Sequence, residues 1–182
     1  MPEPLTCAGL AAAVVAQPVP VMFLDTAAVL DVFRVPFRHE LHPDIIESAV
    51  AAVNEAASEP RSLWLLTTAN VVQEIGGHRE RVRQELVAHV ESLNSSVHRF
   101  LSVAKRVFPE RRFSWPELAE IRLDQRILQI VDRLIDSAVI FRGTAECASR
   151  ARTRVWEATP PASRGNQQFK DCEIFEEFLE LI

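Results

Sequence analysis

No stretch of the chain reaches the roughly eighteen uninterrupted apolar residues that a membrane-spanning helix needs, so a membrane protein is not expected. Cysteine is scarce: Cys7, Cys147 and Cys172 stand far apart and form no CxxC pair. That spacing argues against a structural zinc site and against a disulfide framework, and it suits a reducing cytosol. There is no GxSxG, no P-loop and no GxGxxG, which leaves no sequence signal for a serine-hydrolase elbow, a Walker phosphate loop or a dinucleotide fold. The chain lacks a basic excess, its net charge being −5, so nothing global points to nucleic acid. The three tryptophans are scattered and offer no base-stacking platform. The apolar N-terminus, MPEPLTCAGLAAAVVAQPVPVMF, has an acid at Glu3 and no basic n-region. It reads as a loose leader or short helix over residues 1–19, not as a signal peptide. Internal repeats and low-complexity tracts are also missing.

What is present is an ordinary globular composition, 48% hydrophobic and 25% charged over 182 residues, enough for one domain with a core. Short apolar runs at Val21–Leu24, Ser62–Thr67 and Ser137–Phe141 read as buried strands, their length favouring strand over helix. Helical spacing fills the intervals: Thr26 to about Phe33, a Pro43-opened helix closed by Pro60, and a long helical region from about Ala69 to Val107, with a bend expected at Gly76–Gly77. Ser114-Trp-Pro-Glu117 reads as a capping box starting a helix that runs to about Leu134. Thr144 is expected to cap a helix to Trp156, and Asp171 to open the last one. Strands separated by helices imply an α/β domain over residues 20–182, with a mostly parallel central sheet flanked by helices. A long helical insertion, about residues 78–135, separates the second strand from the third.

Three acids stand where solvation alone does not account for them. Asp25 directly follows the first strand, and ligands of open parallel sheets bind beyond the carboxyl ends of strands. Glu74 lies on the first turns of the helix after the second strand, beside Val71, Val72 and Ile75. Asp171 falls, on a helical wheel, at the centre of the side made by Ile174, Phe175, Phe178, Leu179 and Ile182, with Glu173, Glu176, Glu177 and Glu180 off that centre. Each has a plainer role open to it: Asp25 and Asp171 as helix N-caps, Glu74 as a surface acid. Together, hard oxygen ligands of this kind suit Mg²⁺ or Mn²⁺. His78, four residues after Glu74, is a further candidate ligand. Arg142 to Lys170 carries six basic residues and two acids, while Asp171 onward carries five acids and no base. Arg150, Arg152, Arg154, Arg164 and Lys170 are therefore candidate phosphate contacts, with a solvated helix face as the alternative.

The segments VMFLDTAAVLDVF, LWLLTTANVVQEI and PPASRGNQQFKDCEIFEEFLEL resemble the PIN-like ribonuclease superfamily, in particular its branch with a long helical insertion and an FKD helix start. The resemblance covers roughly residues 20–182. It implies Asp25, Glu74 and Asp171 as metal ligands for Mg²⁺ or Mn²⁺ and as the catalytic set. It also implies Thr26 as the hydroxyl residue after the first acid, and RNA contacts from Thr26, Arg150, Arg154, Arg164 and Lys170. The implied activity is metal-dependent endoribonuclease cleavage, with a protein antitoxin or a homo-oligomer as possible partners. The alternative is a non-catalytic binding module for RNA or a protein. Two departures stand out. Ala27 replaces an Asn common in the family, and the last strand with a further acid is missing. Because the chain ends at Ile182 inside an apolar helical pattern, a truncated or shortened member is expected.

Overall fold

The computed structural model describes residues 4–114, 121–165 and 168–181. In chain order these residues form β1 (Leu5–Thr6), α1 (Cys7–Ala16), β2 (Val21–Phe23), α2 (Thr26–Arg34), α3 (Asp44–Ala56), β3 (Trp64–Thr68) and α4 (Ala69–Val107). There follow α5 (Leu123–Ser137), β4 (Val139–Arg142), α6 (Ala145–Glu157) and α7 (Phe169–Leu181). All strands are parallel, in the order β1-β4-β3-β2. The α/β class, the parallel sheet and the long helical stretch between the second and third expected strands are all present. The expected leader contributes a fourth strand and a packed helix: β1 pairs with β4, and Leu10 of α1 is fully buried. The long helix runs unbroken from Ala69 to Val107 through Gly76 and Gly77. The capping box expected at Ser114–Glu117 lies mostly outside the described residues, and α5 begins at Leu123. No helix among the described residues is long and apolar enough to cross a membrane.

β3 is the inner strand whose five residues are all buried. A parallel strand covered on both faces calls for such a continuous apolar run, and WLLTT supplies it with two threonines at its end. Alternate side chains point to opposite faces. Leu65 joins α2, α3, α4 and α5 through Val29, Phe33, Val53, Val71, Ile75, Leu86, Ile127 and Val131. Trp64 and Leu66 face the other way, onto Cys7, Leu10 and Phe141. The result is a sheet between two helical layers, with α1 opposite α2–α5. Among the described residues β2 is an edge strand, paired only with β3, and its Val21 and Met22 stay exposed.

The last helix departs from the wheel expectation. Its buried residues are Cys172, Glu176 and Glu177, while Phe175 and Leu179 are exposed. The reason is what α6 and the β4–α6 turn present to it. Arg150 and Arg154 donate to Glu176, Arg150 at 2.6 Å. Thr144 donates its backbone N–H and its hydroxyl to Glu180, each at 3.1 Å. Gly143 N–H and the Asn70 amide donate to Glu177, each at 3.3 Å. Burial works to raise Glu176, but hydrogen bonds from Arg154 and Arg150 outweigh it and hold the carboxyl below its ordinary range. Charge-assisted bonds of this kind are about twice as strong as neutral ones, so acids bury here in place of phenylalanine. Thr144 sits at the N-cap of α6, yet its hydroxyl turns to Glu180 and does not cap. The approach is close enough that a Cβ on Gly143 would meet Glu177 Cγ at 2.6 Å and Cys147 Sγ at 2.8 Å.

Candidate functional site: an acidic pocket at the carboxyl end of β2

Both backbone groups of Leu24 are tied to β3. Its N–H donates to Leu66 O at 2.8 Å and its carbonyl accepts from the Thr67 hydroxyl at 3.1 Å. The chain is thereby held straight to the end of the β2 ladder, and Asp25 comes next. Asp25 caps α2, its Oδ1 accepting from Ala28 N–H at 2.6 Å. Thr68, at the end of β3, caps α4 through Val71 N–H at 3.3 Å. That cap starts the helix which carries Glu74 to the same edge of the sheet. Thr26 then joins the two helices: its hydroxyl donates to Glu74 Oε2 at 2.7 Å.

Asp171 arrives from the first turn of α7. It shares one cavity of about 600 Å³ with Asp25, Thr26 and Glu74. Each helix presents one face at helical spacing: Thr26, Leu30 and Arg34 from α2; Glu74, His78 and Arg81 from α4; Asp171, Ile174, Phe175 and Phe178 from α7. The floor is aromatic, with Phe23 edge-on to Phe178 at 5.0 Å between ring centres. A smaller cavity, about 290 Å³, shares Glu74, His78 and Ile174 and adds Lys170.

The pocket is electrostatically frustrated. Partial desolvation, then the charges of Glu74 and Asp25, push the Asp171 carboxyl above its usual range. Among the described residues none of the three acids makes an ion pair. Arg34 and Arg81 line the same cavity without bonding them. Arg34 spends Nη1 on Asp31 at 3.0 Å, and its Nε is buried with no partner. Sequence reasoning passed over both arginines, although their spacing from Thr26 and Glu74 placed them on those faces.

The donor set is all oxygen, and the hydrogen bonds to Asp25 and Glu74 each occupy one carboxylate oxygen. In chemistry it suits a hard divalent cation. In spacing it does not yet enclose one, since among the described residues no three His, Cys, Asp or Glu side chains lie close enough to hold a shared ion. The remaining candidates sit apart from the acids. Arg150 and Arg154 are committed to Glu176, and Arg154 also lies over the Phe175 ring at 4.7 Å. Arg152 is exposed on α6, and Arg164 is exposed in the loop before α7. Compared with known proteins, the chain matches no family model, no curated protein and no solved structure.

Proposed function

We propose that the acidic pocket binds a phosphodiester of RNA together with Mg²⁺ or Mn²⁺, making the chain a metal-dependent endoribonuclease of the PIN-like kind. The observation that carries this reading is the convergence of Asp25, Glu74 and Asp171 on one cavity at the carboxyl end of β2, with no cation among the described residues paired to them. Neighbouring carboxylates repel one another, and three of them brought to one cavity without an ion pair suit a divalent cation. A bound ion there would supply water activation and neutralise charge developing on the phosphate. Asp25, Glu74 and Asp171 would hold it. Thr26 orients Glu74 through its hydroxyl. Arg34 and Arg81 stand on the cavity wall where phosphate oxygens can take their free donors, and Lys170 lies in the adjoining cavity. Phe23, Phe175 and Phe178 give the pocket an apolar wall that limits water.

The test combines metal binding with cleavage. Millimolar Mn²⁺ is expected to raise the Tm of the wild type and leave that of Asp171→Asn unmoved. Single-stranded RNA is expected to be cut only with metal, and Asp25→Asn to abolish cutting while its Tm stays near wild type, because Asn caps a helix as well as Asp does. Wild-type cleavage by Asp25→Asn would sink the assignment. RNA bound without cleavage or any metal-dependent Tm shift would instead make the chain a non-catalytic binding module.

A further inference from the structure

Past Leu86, α4 holds only half-buried and exposed residues, Val90 being half-buried against the main core. Its last buried residue is Leu86, yet the helix continues to Val107. On that projecting part Leu93, Phe100, Val103 and Val107 are 42%, 70%, 55% and 61% exposed. Their spacing is that of a coiled-coil seam. Leu93, Phe100 and Val107 recur every seventh residue, and Val103 follows Phe100 by three, with Ser96 at the equivalent place after Leu93. A seam of this kind is matched by a second helix, whose side chains fill the holes between these residues.

Charge decides which helix. Arg99 and Arg106 directly precede Phe100 and Val107, at positions flanking the seam, and among the described residues neither makes an ion pair. From Leu93 to Val107 the chain carries Arg99, Lys105 and Arg106 and no acid, although the whole chain is at −5. A second copy fits this poorly. In parallel pairing Arg99 would face Ala104 of the partner helix and Arg106 a position past that helix's end, and in antiparallel pairing arginine would face arginine. We infer that the projecting half of α4 docks a partner protein through an amphipathic helix whose apolar stripe is flanked by Glu or Asp. The inference stands independently of the pocket's chemistry.

Two fluorescent peptides of about three heptads test it, with leucine at both seam positions and either Glu or Lys at both flanking positions, so that neither pairs with itself. Fluorescence anisotropy with the full chain is expected to show the Glu-flanked peptide binding at least about tenfold more tightly than the Lys-flanked one at low salt, the gap narrowing as salt rises. Phe100→Ser is expected to lose the binding without a change in circular dichroism or Tm, since its ring is largely in solvent. The double variant Arg99→Glu, Arg106→Glu is expected to reverse the preference. Equal binding of the two peptides, no binding of either, or an unreversed preference overturns the proposal. So does a dimer of the unliganded chain in light scattering that Phe100→Ser dissolves.

Discussion

Asp171 is an acid of the pocket whose charged form its surroundings disfavour. Its ordinary value is 3.8, and partial desolvation with the charges of Glu74 and Asp25 raises it in the folded chain. The folded state therefore holds the proton to higher pH than the unfolded state. The stability linked to this group is complete below 3.8 and is lost as pH rises through the folded value. Asp171→Asn removes the penalty. In chelator-treated buffer the variant is expected to melt higher than wild type at pH 7, with the gain closing as pH falls toward 3.8. No gain at neutral pH would show that the three acids do not strain one another. Asp171 was legible in the sequence because it shares a helical face with Ile174, Phe175 and Phe178, and all four line the pocket. Arg34 and Arg81 were not picked out, since an arginine on an amphipathic helix carries no mark until the neighbouring helices close around it.

Among the elements, strand positions and the long helix followed from apolar runs and periodicity, because burial on both faces or on one stripe leaves a local trace. β1 left none: two residues make a strand only when β4 is beside them. α7 was misread for a related reason. A wheel ranks faces by apolarity, and the face that buries is the one opposite Arg150, Arg154 and the β4–α6 turn, which distant sequence supplies. Glu176 is the test. It is 4% exposed and accepts from two arginines, of which Arg150 is 41% exposed and Arg154 22%. Glu176→Ala strands both donors, and a hydrogen bond to a charged group is worth about 1.5–3 kcal/mol. With one arginine still able to reach water, a loss of about 2 kcal/mol in urea unfolding is expected, with Glu176→Gln milder. An unchanged midpoint for Glu176→Ala would mean that α7 is held by its apolar contacts alone.

At the scale of the whole molecule, stability is distributed unevenly along one continuous helix. The first half of α4 buries Val71, Ile75, Val82 and Leu86 in the main core, whereas its later residues are at most half-buried, Val90 against that core. A helix with little tertiary burial is marginal at such lengths, because packing of an apolar face supplies most helical stability in proteins. Local opening free energy then falls from near the global value to near zero along a single element. Amide exchange followed by mass spectrometry is expected to show this gradient, with Val71–Leu86 among the slowest amides and Leu93–Val107 exchanging orders of magnitude faster. Addition of the Glu-flanked peptide is expected to slow the second group and leave the first unchanged, while Mn²⁺ slows amides around Ala28 and Glu74 and leaves Leu93–Val107 as they were. The two ligands would thus protect opposite ends of the same helix. Uniform slow exchange along α4 in the free chain would mean that the projecting half is already covered, which rules out an open docking face.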